Sequence, residues 1–287
     1  MFDGTRVAAR SADFAAGSIR WAATVDGVFS LAALIPSPPV LVPELCGGWP
    51  AVDDEHPAAQ VPALREAVLA AGRALAGETM RWTVVGVAPE GAGAELDYVD
   101  AVGTFRGFGA DVPVALSDSA LADGLPPDPD LPLPVLIGGW LRGRVAPEAT
   151  VEARLIAADS AVADCAALGA RLRRDLGAEP GPRGVLVVAD GATTLSTKAP
   201  GYLDSRAEAA QAGIDRALDA GDCAALAELD TTLCAELGVS GRAAYQVLAG
   251  LFGAGAADGR PGVETLYRAA PFGVGYHVSL WRPGAGA

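Results

Sequence analysis

Apolar runs of strand length alternate along the chain with amphipathic helical patterns and with loops rich in proline and glycine. Residues 28–35 (Val-Phe-Ser-Leu-Ala-Ala-Leu-Ile) are almost continuously apolar and end at Pro36-Ser37-Pro38-Pro39. A run that is apolar on both faces suits a central strand covered by helices on each side. Val61, Leu64, Val68 and Leu75 recur at helical spacing, and Pro62 is tolerable in a first turn. Residues 82–88 form the next strand, ended by Pro89-Glu90-Gly91. Residues 91–130 are rich in Gly, Asp and Pro and hold at most short elements, such as 111–116. The proline-rich stretch 125–134 leads into an apolar run at 135–140, and a candidate strand follows at 150–157.

Cys165, Leu168, Leu172 and Leu176 mark an amphipathic helix ending near Gly177. Residues 184–190 (Gly-Val-Leu-Val-Val-Ala-Asp) are the cleanest buried strand, followed by a loop at 191–201. Helices are predicted over 205–220 and 222–237, with Gly221 closing the first and Asp222 capping the second. A third short helix covers 242–252. Residues 263–268 and 273–281 read as strands around Pro271-Phe272-Gly273. Strands alternating with helices predict one α/β domain over 28–283, with a central mostly parallel or mixed sheet flanked by helices. Residues 1–27 show no sustained period and read as a loosely ordered tail. Pockets in such sheets lie beyond the carboxyl ends of the strands. That rule selects the loops at 36–39, 89–93 and 190–197.

Composition narrows the partners. The 287 residues are 51% hydrophobic and 20% charged, with mean hydropathy +0.30, which excludes a disordered acidic chain. The formal net charge is −14 and the pI is near 4.5. Such a field repels phosphate backbones, so neither nucleic acid nor an anionic membrane is expected as the main partner. The most apolar region is interrupted by Pro36, Pro38, Pro39 and Pro43 and makes no membrane helix. Cys46, Cys165, Cys223 and Cys234 form no CxxC pair and read as small buried thiols in a reducing cytoplasm. A cytoplasmic location is expected.

Chemistry-bearing motifs are sparse. Gly91-Ala92-Gly93 follows a strand but lacks the third glycine of a dinucleotide fingerprint. There is no phosphate-binding P-loop, and Gly238-Val239-Ser240-Gly241 has the wrong spacing for a nucleophile elbow. Only two histidines are present. His56 sits in an acidic loop (Asp53-Asp54-Glu55-His56) and reads as solvated; His277 sits in an apolar strand and reads as a structural histidine. The acidic groups Asp53/Asp54/Glu55, Asp97/Asp100 and Asp128/Asp130 lack calcium-loop spacing and read as solvated faces.

Several stretches taken together resemble the class III extradiol ring-cleavage dioxygenases of the LigB type, non-haem iron enzymes that open catechols. Residues 34–44 (Leu-Ile-Pro-Ser-Pro-Pro-Val-Leu-Val-Pro-Glu) are similar to the family's opening strand and His-Pro-Pro loop. Residues 84–90 (Val-Val-Gly-Val-Ala-Pro-Glu) resemble its second strand, which there ends Pro-His. Residues 185–191 (Val-Leu-Val-Val-Ala-Asp-Gly) resemble the strand and loop that carry the family's catalytic histidine. Pro200-Gly201-Tyr202, the stretch 220–233 and the closing stretch 270–276 follow in the family's order. The resemblance runs from about Phe29 to Trp281.

It implies a LigB-like fold, an iron(II) site and a catalytic base, and the departures fall on that machinery. Ser37 stands where the resemblance places the first metal histidine, and Glu90 where it places the second. The catalytic histidine would fall at Thr194 or Leu195, and the carboxylate ligand near 240–244, where Arg242 stands. Iron(II) in such chemistry needs about three fixed ligands and a nearby base. The first expectation is therefore a LigB-like domain with no resident cofactor, binding a small molecule or a protein. Its pocket would be lined by Ser37, Pro38, Glu90, Asp190, Thr193 and Thr194. The alternative is an enzyme with a rebuilt site, in which Glu90, Asp190 and His56 or His277 hold Fe2+ or another divalent metal for an oxygenase or hydrolytic reaction. A third expectation is a structural or regulatory subunit acting as a homodimer.

Overall fold

The doubly apolar runs become strands because helices cover both faces of a single sheet. The computed structural model describes residues 29–46, 56–178, 180–253 and 259–284. The element order is β1 (Phe29–Ile35), α1 (Val61–Glu78), β2 (Arg81–Val87), β3 (Glu95–Val99), β4 (Val102–Thr104), β5 (Pro113–Ala115), α2 (Asp118–Ala122), α3 (Leu133–Val145), β6 (Thr150–Ile156), α4 (Val162–Ala178), β7 (Arg183–Val188), α5 (Ala207–Ala220), α6 (Cys223–Ala227), α7 (Thr231–Glu236), α8 (Arg242–Gly253), β8 (Gly262–Ala269) and β9 (Tyr276–Arg282). The predicted tail 1–27 and the acidic triplet Asp53/Asp54/Glu55 lie outside the described residues.

Seven strands form one sheet in the order β3-β6-β2-β7-β1-β9-β8, and β4 pairs with β5 separately. The four central strands β6, β2, β7 and β1 run parallel. Antiparallel partners close both edges: β3 lies on β6, and the β8–β9 hairpin lies on β1. The sheet is therefore mixed. Side chains alternate across it. Leu31, Ala33 and Ile35 of β1 join the core under α1 and α3, whereas Ala32 and Leu34 join the core under α4, α5 and α8. Leu186 and Val188 of β7 face the first core, and Val185 and Val187 face the second. Burial on both faces is why these strands carry no polar alternation.

Two elements depart from the expected pattern. The apolar run at 135–140 is part of α3, despite its paired glycines. A Cβ on Gly138 would meet Val84 Cγ2 at 2.6 Å, so the missing side chain lets α3 lie close on β2. The single helix predicted over 222–237 is corrected to two, α6 and α7. Asp222 does cap α6, accepting from the Ala225 amide, and Gly221 ends α5 in the left-handed conformation at φ 62°. A second cap, Asp230, then accepts from the Leu233 amide and starts α7 afresh. Gln246 Nε2 donates to the carbonyls of Ala227 and Leu229, which satisfies the backbone exposed by that break.

All four cysteines are free. Cys165 and Cys234 are buried as expected, whereas Cys46 and Cys223 are only half-buried. Cys46 opens toward Arg65, which donates to its sulfur at 3.3 Å. Among the described residues, no helix is long and apolar enough to cross a membrane.

Candidate functional site

The carboxyl ends of four adjacent parallel strands converge on one cleft of about 1160 Å³. Ser37 follows β1, Ala88-Pro89-Glu90 follows β2, Ala158-Asp159 follows β6 and Ala189-Asp190 follows β7; all of them line the cleft. One wall is built by α7 and by the turn 238–242 that opens α8. The facing wall comes from Phe108 and the proline-rich stretch 129–134. This is the topological position at which open α/β sheets carry ligands.

Asp190 forms the floor. The β7 run ends there because its backbone turns to meet α8, with Gly241 N donating to the Asp190 carbonyl at 2.9 Å. A Cβ on Gly241 would lie 2.6 Å from that carbonyl oxygen, so only glycine permits the approach. Asp190 lines the cleft as a half-buried residue, and its carboxyl is packed by protein. Ser37 holds it twice: the backbone amide donates to Oδ1 at 2.9 Å and the hydroxyl to Oδ2 at 2.5 Å. Burial pushes the Asp190 carboxyl above the ordinary aspartate range, and the two Ser37 bonds pull against that shift. Buried Tyr245 of α8 lies nearby, donating to the Ala189 carbonyl at 3.4 Å. Burial and the Asp190 charge both raise its phenol pKa well above the ordinary tyrosine value.

Of the six pocket residues expected from sequence, three line the cleft: Ser37, Glu90 and Asp190. Pro38 does not. It precedes the short helical turn Pro39–Leu41 and its carbonyl accepts from Leu41 N. Thr193 and Thr194 lie behind the wall instead of facing the ligand space. Thr194 Oγ1 and Thr193 N both donate to the Leu237 carbonyl, at 3.0 and 3.1 Å. Thr193 Oγ1 occupies the space beside Gly238, where a Cβ would lie 2.1 Å away. The loop after β7 thus props the α7–α8 turn from the rear. Phe108, Asp130, Asp159 and the α7 face were not expected in the cleft. The only sequence signal for them was the proline-rich stretch, whose rigidity fits a wall.

The histidines lie elsewhere. His56 is exposed, and its Nδ1 accepts from Ala58 N at 3.1 Å at the start of a short helical turn. His277 is buried on β9, with Nε2 3.1 Å from Asp219 Oδ1 on α5. Nε2 must then carry the proton, which leaves Nδ1 as a buried acceptor without a partner. Neither imidazole lines the cleft with Glu90 and Asp190. No group of three or more His, Cys, Asp or Glu side chains among the described residues is placed to hold a metal ion. Each Asp190 oxygen accepts one bond from Ser37, Glu90 stands exposed at the rim, and no imidazole joins them in the cleft. The residues described here therefore do not fit an iron site.

His277 does make a measurable contribution to pH dependence. Burial pushes its pKa below the ordinary histidine value, although Asp219 and Asp215 on α5 pull it up; Arg268 on β8 pushes it down further. A group whose folded pKa is depressed favours folding in its neutral form. Its contribution is present above the unfolded value of about 6.5 and is lost as pH falls through the folded value. The urea midpoint is expected to fall between pH 7 and pH 5, and His277→Gln should make that fall shallower. Equal slopes for the two proteins would remove His277 from the account.

No family model matches the chain, and no curated protein matches it. Among solved structures, it is similar to an uncharacterized protein, JW3007, from Escherichia coli K12. That similarity covers 88% of this chain and 99% of the other at 10% identity, with a TM-score of 0.44. A likeness of this degree assigns neither family nor function.

Proposed function

We propose that the chain is a LigB-like α/β domain that binds a small molecule in the cleft and does not carry out iron-dependent ring cleavage. The observation that carries this reading is the floor of the cleft. At the position where the resemblance expects the first metal histidine, Ser37 is hydrogen-bonded through both amide and hydroxyl to Asp190. A neutral serine hydroxyl is a poor ligand for iron(II), and a carboxylate held by two donors has less capacity to bind one. Thr194, near the expected position of the catalytic histidine, is buried against Leu237 and has no access to a substrate proton. The cleft keeps the size and mixed lining of a small-molecule site: apolar walls, a few convergent polar groups and one deep carboxyl.

The test is metal content by plasma mass spectrometry on protein purified without chelator and reconstituted anaerobically with iron(II). The reading expects sub-stoichiometric metal, unchanged by Glu90→Ala. About one tightly held metal per chain, lost on Glu90→Ala, overturns it and makes catechol turnover under oxygen the next assay.

A further inference from the structure

We propose that the ligand of this cleft is an organic cation, a protonated amine on an apolar body, with its ammonium group seated against the Asp190 carboxylate. The inference rests on the small-molecule reading above and specifies the chemistry of the ligand. An ionised carboxylate offers about four acceptor positions, and Ser37 fills two of those on Asp190. Asp190 lines the cleft and is only half-buried as a residue, which leaves the remaining acceptors for a ligand there. No arginine, lysine or histidine among the described residues pairs with this carboxyl; burial and the two Ser37 bonds are what act on it. A buried carboxylate without a countercharge is costly, and an incoming cation relieves that cost.

Most charged side chains in the lining have the same sign. Glu90, Asp130 and Asp159 stand exposed around the opening, and Glu236 on α7 is paired with Arg206 outside the lining. Among the described residues, the single cationic side chain in the lining is Arg242, and its guanidinium is already engaged. Nη1 donates to the Ser160 carbonyl at 2.7 Å and to Gln246 Oε1 at 2.8 Å, and Nη2 donates to the Ala158 carbonyl. It therefore binds the wall together, and the donors it could offer an anion are already spent on neutral acceptors. A carboxylate or phosphate ligand would meet a lining in which acidic side chains outnumber the one arginine, in keeping with the net charge of −14 at longer range. The body of the ligand would contact Val87, Leu131, Leu133, Val188 and Val239, and the exposed ring of Phe108 stands where it can meet an apolar or cationic group.

The experiment compares ligands that share a body and differ only in charge. Phenyl, naphthyl and biphenyl compounds are each offered as the ethylamine, the ethanol and the propanoate, and binding is read by saturation-transfer NMR and titration calorimetry near pH 7. The amine should bind at least about tenfold more tightly than its alcohol, with the propanoate weakest. Asp190→Asn should bring the amine to the level of the alcohol, whereas Ser37→Ala, which keeps the carboxylate, should preserve the amine preference. Binding of alcohols or propanoates as tight as that of amines overturns the inference and leaves the small-molecule reading standing. Silence from all nine compounds counts against both. Should Asp190→Asn not fold, the charge order on the unaltered protein decides.

Discussion

Gly169→Ala is expected to cost the domain roughly 3 kcal/mol, an unusually large loss for adding one methyl group. Gly169 lies on α4 where it crosses α8. A Cβ there would be 2.3 Å from the Val247 carbonyl oxygen and 2.5 Å from the Leu251 amide nitrogen. Both atoms belong to the backbone of α8, so no rotamer change relieves the clash. The contact is reciprocal: a Cβ on Gly250 would lie 2.5 Å from the Ala166 carbonyl oxygen. The helices must therefore separate, and the buried side chains between them, Leu168, Leu172, Val247 and Leu251, lose packing as they do. Gly213→Ala on α5 is the control. Only Arg216 Nη2 lies near its added methyl, at 3.9 Å, so the better helix former should stabilise the fold by up to about 1 kcal/mol. Urea unfolding midpoints of the two variants should move in opposite directions. Movement of both in the stabilising direction would mean that α4 and α8 are not in backbone contact.

Arg242→Met is expected to cost a similar amount, about 3 kcal/mol, by a different route. The arginine is buried in the first turn of α8, and its guanidinium holds the carbonyls of Ala158 and Ser160 and the amide oxygen of Gln246. Methionine approximates the stem and removes every donor, which leaves the amide oxygen of buried Gln246 without this partner and frees the carbonyls of Ala158 and Ser160. The segment between β6 and α4 would then detach from α8, and this segment carries Asp159 into the cleft. The variant should therefore lose stability and also show faster amide exchange over residues 157–161. Loss of stability with unchanged exchange in that segment would place the role of Arg242 in packing alone.

These two residues show where sequence reading stops. Gly169 is one of many glycines and alanines in a chain whose composition makes small residues unremarkable. Its importance appears only when α8, nearly eighty positions later, lies against it. Arg242 was legible as a position where the family resemblance expects an acid, but its task of tying the β6–α4 segment to α8 was not. The floor of the cleft divides in the same way. Residues 36–39 and 190–197 were selected by the rule that loops beyond parallel strands carry ligands, and Ser37 and Asp190 are both there. Their hydrogen bonds span 153 positions and arise because β1 and β7 are hydrogen-bonded neighbours with carboxyl ends side by side. Thr193 and Thr194 belonged to the same loop by sequence, yet the chain turns after Asp190 and ties both to the Leu237 carbonyl, with Thr194 buried.

By itself the sequence determined the strands with two buried faces, the main helices and their caps, the acidic field and the shortage of histidine. Each of these is a local or additive property: burial sets periodicity, side-chain oxygens cap helix ends, and charges sum. Tertiary structure decided the strand order, the break between α6 and α7, the removal of both histidines from the cleft and the pairing of Ser37 with Asp190. Each of those depends on which distant segments become neighbours. The sheet settles that choice by covering both faces at once, and no single segment carries the information.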